Sequence, residues 1–168
     1  MVFDIMEFPE VFNGADRLVD WNVREGRGDK AAIYYFDEII TYKQIQDNVN
    51  RTGNALKSLG IEVENRIAVM TLDCPQFIYS TFGAQKLGAV PVGLNTMLSQ
   101  KDYLYMLNDS RAKALIISNE LYPVIAEIKS ELRFLKNIIV VADMMDGTKA
   151  GPIDGTIDFN SWVAGFPT

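Results

Sequence analysis

The sequence predicts an α/β fold with a mostly parallel sheet and helices on both of its faces. Four short apolar or β-prone runs, starting at Arg66, Ala89, Ala114 and Ile138, are separated by stretches that read as helices. The strongest of them are nearly unbroken rather than alternating, the pattern of strands covered on both sides. Right-handed crossovers between such strands place helices on both faces of a parallel sheet.

The elements follow in order. Asn13 to Gly26 sets Leu18, Val19 and Trp21 among charged residues and reads as a short surface helix capped by Asn13. AAIYYF and IIT, on either side of Asp37-Glu38, form two β-prone runs around an acidic turn, a hairpin without glycine. Thr41-Tyr42-Lys43-Gln44 fits a capping box, so a helix starts there. Ile45, Val49, Thr52, Leu56 and Leu59 give that helix one buried face, and Gly60 suits its left-handed stop. Gly53 within it costs about 1 kcal/mol relative to alanine. Each well-buried aliphatic side chain contributes about 1.5–3 kcal/mol, so packing prevails.

Arg66 to Leu72 reads as a central strand. Pro75 then fits the first position of a deeply buried helix in which Phe77, Ile78, Phe82, Ala84 and Leu87 cover most of the circumference before Gly88. Ala89 to Gly93 is extended, and Pro91 confines it to an edge or a strand end. Ser99 to Asp102 is a second cap signal, opening a short helix through Tyr103, Leu104 and Leu107. Ala114–Ile117 is a strand, Leu121 to Leu132 a helix and Ile138–Val141 another strand. The Gly-, Asp- and Pro-rich stretch Asp143 to Gly155 reads as a linker, and Ile157 to Val163 as a last short amphipathic piece.

Composition narrows the chemistry. The chain has 168 residues, 48% of them hydrophobic and 23% charged, which suits one soluble globular domain. A net charge of −6 repels nucleic acid and anionic lipid. With one cysteine and no histidine, a disulfide, a Cys/His metal site and a histidine base are all excluded. No apolar run reaches the roughly 20 residues of a membrane span. Asp4, Glu7 and Glu10 stand where a signal peptide would be positive, so the cytoplasm is the expected location.

No motif read from these residues assembles a catalytic centre. The glycines after Val141 lack both common phosphate-loop patterns, and Gly83 and Gly88 read as a close helix contact and a helix stop. Cys74 lies where a helix dipole favours a thiolate, but without a base it reads as a buried or capping thiol. Two readings stand for Asp73: a ligand contact at a strand's carboxyl end, or a turn-forming carboxylate. Asp37-Glu38 and Glu62/Glu64 read as solvated loop charges.

Order and spacing carry a resemblance further. Thr41-Tyr42-Lys43-Gln44-Ile45, Asn54-Ala55-Leu56, Leu59-Gly60-Ile61, the stretch RIAVMTLDCPQF and Lys86-Leu87-Gly88-Ala89-Val90-Pro91-Val92-Gly93-Leu94-Asn95 together resemble the opening third of the adenylate-forming acyl-CoA and aryl-CoA ligases. The continuation NTMLSQKDYLYMLNDSRAKALIIS is most similar to the benzoate-CoA and hydroxybenzoate-CoA ligase branch, and the resemblance spans roughly residues 15 to 163.

The resemblance implies an N-terminal subdomain of the adenylate-forming ligase fold. It also implies a two-step reaction in which a carboxylate and MgATP give an acyl-adenylate and pyrophosphate, and CoA thiol then displaces AMP. The implied cofactors of the full-length enzyme are ATP, Mg and CoA, and the implied partner is a small carboxylic acid such as benzoate. The family's Ser/Thr/Gly-rich phosphate loop, acidic ribose-binding residue, hinge and catalytic lysine do not occur in these residues, which end at Phe166-Pro167-Thr168, close to where the phosphate loop would follow. The implied organisation is an α/β subdomain over 1–142, a linker over 143–156 and a short segment over 157–168 preceding that loop. The chain then reads as a fragment that supplies scaffold, with no catalytic residue, no metal ligand and no bound cofactor. Its uncovered apolar surface is expected to drive self-association.

Leu94-Asn95-Thr96-Met97 matches a family segment that often carries a basic residue and can lie near the CoA nucleotide. Asn95 and Thr96 are therefore the candidate cofactor-binding residues, although Met97 brings no charge and the pair also suits a turn and helix cap. The alternative to the ligase is a free-standing α/β interaction module that kept the fold and lost the reaction. A Rossmann-type dinucleotide binder lacks its fingerprint.

Overall fold

The computed structural model describes residues 10–142 and 151–168; the expected linker therefore lies partly outside the described residues, as does the acidic start of the chain. Asn13 caps as expected, its Oδ1 accepting from the Ala15 amide at 3.0 Å. The turns that follow are wider than an α-helix, with π-helical segments Asp16–Asp20 and Val23–Arg27, and Gly26 breaks the helical geometry inside the second at φ +76°. Trp21 sits between two guanidinium groups, with Arg17 at 3.9 Å and Arg27 at 4.3 Å from the ring centroid.

Strands β1 (Ala31–Tyr35) and β2 (Glu38–Thr41) form the antiparallel hairpin. Its turn is Phe36-Asp37 rather than Asp37-Glu38, because Tyr35 pairs with Glu38, and Phe36 takes the positive φ of 50° that glycine would ordinarily supply. Helix α1 (Tyr42–Ser58) starts on the expected capping box. The Thr41 hydroxyl accepts from the Gln44 amide, and Gln44 Oε1 accepts from the Thr41 amide at 2.8 Å. Its buried face is Ile45, Val49, Thr52, Ala55 and Leu56.

The remaining strands are β3 (Arg66–Met70), β4 (Val90–Gly93), β5 (Ala114–Ser118), β6 (Asn137–Val141) and β7 (Ile157–Asp158). They form one parallel sheet in the order β4-β3-β5-β6-β7. The middle strand is β5, all five of its residues buried, and β3 lies one place nearer the edge than its apolar run suggested. Pro91 sits in edge strand β4, where its missing amide costs no ladder bond. Strand β7, whose two residues pair with β6, has no counterpart among the strands expected from the sequence. A two-residue strand has too little alternation to announce itself.

Helices α2 (Pro75–Leu87) and α3 (Gln100–Asp109) match their expected caps, with Pro75 in the first turn of α2 and a Ser99–Asp102 capping box on α3. The region expected as one helix over 121–132 is broken instead. It comprises a 3-10 turn Asn119–Leu121, the short helix α4 (Tyr122–Ala126) and a second 3-10 turn Lys129–Glu131. Ile125, Ile128 and Leu132 are still buried, so the helical spacing of apolar residues survives while the backbone tightens between them. Finally α5 (Phe159–Ala164) is capped by Asp158, whose Oδ1 accepts from the Ser161 amide at 2.8 Å.

Strand alternation sorts the core into two layers. Ile67, Val69, Ala114, Ile116, Ile139 and Val141 face α1, α2 and α5. Ala68, Met70, Leu115, Ile117, Ile138 and Val140 face α3 and α4. Helix α2 is less enclosed than expected: its buried residues are Pro75, Gln76, Tyr79, Ser80, Gly83 and Ala84, while Phe77 is exposed. The cause is Gly53 facing Gly83. A Cβ on Gly83 would stand 3.0 Å from the Gly53 nitrogen, so α2 meets α1 through small residues here and Phe77 is left on the outer side, while Tyr79 stays on the inner face.

Tyr79 on this inner face is buried, and burial pushes its phenol from the ordinary 10.0 up to about 12, opposed by a hydrogen bond with Asn48. A folded-state value above the unfolded one means stability that is present below pH 10.0 and lost as pH rises toward about 12. Urea midpoints measured across that alkaline window should fall less steeply in Tyr79→Phe than in the wild type. Parallel curves would show that the phenol contributes nothing to the alkaline limb.

Candidate functional site

In an open parallel sheet, ligands gather outside the carboxyl ends of the strands where the strand order reverses. That reversal falls between β3 and β5, because the chain leaves β3 for the edge strand β4 and then crosses back to β5. The segments meeting at this end are 71–74 after β3, 94–98 after β4 and 118–120 after β5.

Ser118 joins two of them. It is 1% exposed, and its Oγ accepts from the Leu72 amide at 2.9 Å, fixing the β3–α2 loop to the end of β5. Thr71, the residue before Leu72, is buried, and its hydroxyl oxygen has no hydrogen-bond partner among the described residues. Neither residue stood out in the sequence. The available signal was a short polar residue closing each apolar run. Asp73 is exposed and Cys74 half-buried; together they border a groove of about 330 Å³ reaching the β1–β2 hairpin. Cys74 occupies the N-cap position of α2 without a side-chain capping bond.

Asn95 and Thr96 lie in the loop from β4 to α3. Asn95 is exposed and Thr96 half-buried. The Asn95 Oδ1 accepts from the Met97 amide at 2.8 Å, closing a local turn. Tyr103, 1% exposed, donates its hydroxyl to the Asn95 carbonyl at 2.9 Å and accepts from the Leu98 amide at 3.1 Å, so a core side chain sets the shape of the loop. The cap of α3 belongs to Ser99 rather than to Asn95 or Thr96. Hydrogen bonds from Ser99 hold the Asp102 carboxyl below its usual value.

The three segments at this end contain Asp73 and Glu120 but no lysine or arginine. Among the described residues, no three His, Cys, Asp or Glu side chains group into a metal site. Asp37, Glu38, Glu62 and Glu64 are exposed, as solvated loop charges are. These three segments shape an edge and a loop, and bring no cationic side chain of their own to a phosphate.

The family model for AMP-binding enzyme matches residues 19–161. The chain belongs to this family. Among curated AMP-binding relatives, a 4-hydroxybenzoate–CoA/benzoate–CoA ligase of Rhodopseudomonas palustris is 42% identical over 132 residues, which are 79% of this chain and 24% of that enzyme. A benzoate–CoA ligase of Thauera aromatica is 38% identical over 138 residues, 80% of this chain and 26% of that enzyme. Among solved AMP-binding structures, an anthranilate CoA ligase in complex with anthranoyl-AMP superposes with a TM-score of 0.87 at 35% identity, covering 95% of this chain and 29% of that one. A benzoate CoA ligase from Burkholderia xenovorans gives 0.78 at 28% identity, covering 94% and 29%. The chain thus spans about a quarter of the length of the curated relatives it matches.

Proposed function

We propose that this chain is the N-terminal portion of an AMP-forming acid–CoA ligase for an aromatic acid such as benzoate, and that within that enzyme it supplies scaffold rather than catalytic groups. The 42% identity to a benzoate-type ligase carries the reading. In the proposed organisation, residues 1–142 are the α/β subdomain and 143–156 a connecting stretch. Residues 157–168, which add β7 and α5, lead on to the phosphate loop.

The residues present do not fit MgATP. Segments 71–74, 94–98 and 118–120 at the carboxyl ends of β3, β4 and β5 contain no lysine or arginine, and among the described residues no carboxylate group converges for a metal. The reading therefore assigns ATP and Mg to the rest of a full-length ligase. CoA is assigned there as well, with one contact near Asn95 and Thr96. The cytoplasm is the compartment that such substrates imply. No helix among the described residues is long and apolar enough to cross a membrane.

The test is carboxylate-dependent exchange of labelled pyrophosphate into ATP, by the 168-residue chain and by the polypeptide continued to its natural stop codon. Exchange by the continued protein alone, with preference for benzoate-like acids, is the expected result. Exchange by the short chain would sink the scaffold reading, and a natural stop at Thr168 would favour a free-standing module. In the active protein, Asn95→Asp keeps the turn-closing acceptor and adds a negative charge. It should raise KM for CoA about fivefold, through repulsion of the nucleotide phosphates, with kcat unchanged. An unaltered KM would remove Asn95 and Thr96 from the CoA site.

A further inference from the structure

Of the eleven asparagines in the chain, only Asn13 precedes a glycine, and this pair lies against α2. Asn13 Nδ2 donates to the Gln85 carbonyl at 2.9 Å, and a Cβ on Gly14 would stand 3.1 Å from Gln85 Oε1. Both residues are half-buried, so water reaches the pair. A glycine lets the main chain turn its own nitrogen onto the preceding side chain, because no Cβ blocks the approach. Asn13 Oδ1 already accepts from the Ala15 amide at 3.0 Å, a donor placed where negative charge develops when the side-chain carbonyl carbon is attacked.

We propose that Asn13-Gly14 is a deamidation site, and that its product releases the turn over residues 13–17 from α2. The Gly14 nitrogen gives up its proton and bonds to Asn13 Cγ. The Cγ–Nδ2 bond breaks, ammonia leaves with that proton, and a succinimide remains. Water opens the ring at either carbonyl, leaving aspartate or isoaspartate at position 13. Either product lacks the Nδ2 donor and sets a carboxylate against the Gln85 carbonyl oxygen, so a hydrogen bond is exchanged for a repulsion. Isoaspartate also lengthens the main chain by one carbon between residues 13 and 14, displacing the Ala15 and Arg17 amides from their acceptors on Asn13. The change stays local, because buried Val19 and the bond from Lys86 to Asp20 hold the turns beyond.

The 168-residue chain, kept folded in mildly alkaline buffer, is followed by peptide mass mapping and amide hydrogen exchange. The peptide carrying Asn13 should show the mass gain of deamidation, with isoaspartate present, before any other asparagine converts. Gly14→Ala should slow this conversion at least about tenfold, and its Cβ meets only the end of the Gln85 side chain. Amides over 14–17 should exchange at least about tenfold faster in the converted protein, and faster than wild type in Asn13→Asp, which supplies the carboxylate directly, while 66–70 in β3 stays unchanged in both. An Asn13 peptide that remains unmodified, or converts after another asparagine or as fast in Gly14→Ala, would overturn the proposal. So would wild-type exchange over 14–17 in the converted protein or in Asn13→Asp. Faster exchange that extends to β3 would also overturn it, since the change would then be a general unfolding rather than release of one turn.

Discussion

Replacing Gly83 with leucine should destabilise the chain by on the order of 3 kcal/mol, even after the gain of roughly 1 kcal/mol from leaving glycine in a helix. A Cβ at this position already meets the Gly53 nitrogen at 3.0 Å, and the Thr52 Cβ and Val49 carbonyl oxygen at 3.1 Å. Two of those three atoms are backbone of α1 and have no rotamer by which to retreat. Three further carbons have no space between the helices, so α1 and α2 must separate and lose contact along their shared core. Urea melts read the effect as a lower midpoint at an unchanged slope. Gly93→Ala is the control, with nothing within 4 Å of its added Cβ, and should stay within about 0.5 kcal/mol of wild type. A Gly83→Leu midpoint equal to that of the control would show that the helices do not meet through these glycines.

Lys86→Met should cost about 2 kcal/mol by leaving Asp20 buried without its cation. The Lys86 Nζ donates to Asp20 Oδ1 at 2.8 Å and to Asn50 Oδ1 at 2.6 Å, and forms an ion pair with Asp20 Oδ2 at 2.7 Å. Gln46 Nε2 also donates to Asp20 Oδ1, at 2.9 Å. This network ties the N-terminal helical turns to α1 and α2. The figure is below the about 3–5 kcal/mol of a wholly buried pair because the lysine side chain remains about a third exposed and Gln46 still reaches the carboxylate. Changing both partners in Asp20→Asn/Lys86→Met should recover most of the loss, since no uncompensated charge remains. A single variant as stable as wild type would reduce the network to a surface contact.

Caps and the edge position of Pro91 were legible because each is set by neighbours in sequence. Thr41 with Gln44, Ser99 with Asp102, Pro75 in a first turn and Pro91 at an edge all act within a few residues. The helix expected over 121–132 shows the limit of that logic. Periodicity reported which side chains are buried, and it did not report that the backbone between Ile125 and Leu132 would tighten into a 3-10 turn. The candidate site was legible to a lesser degree. Asn95 and Thr96 were singled out through resemblance, whereas Thr71 and Ser118 acquire meaning only when β3 and β5, 46 residues apart at the Leu72–Ser118 bond, become neighbours.

By itself the sequence determined the parallel α/β class, the caps that start its helices and the absence of a histidine or disulfide chemistry, because these depend on local spacing and on residue type. Tertiary structure decided the strand order, the place of the switch point, the addition of β7 and the face that α2 buries. Each of these depends on which distant segments approach one another. In α2 the bulky apolar residues would be expected to face inward, yet glycine against glycine brings α1 close enough to claim the inner face, and Phe77 is left outside.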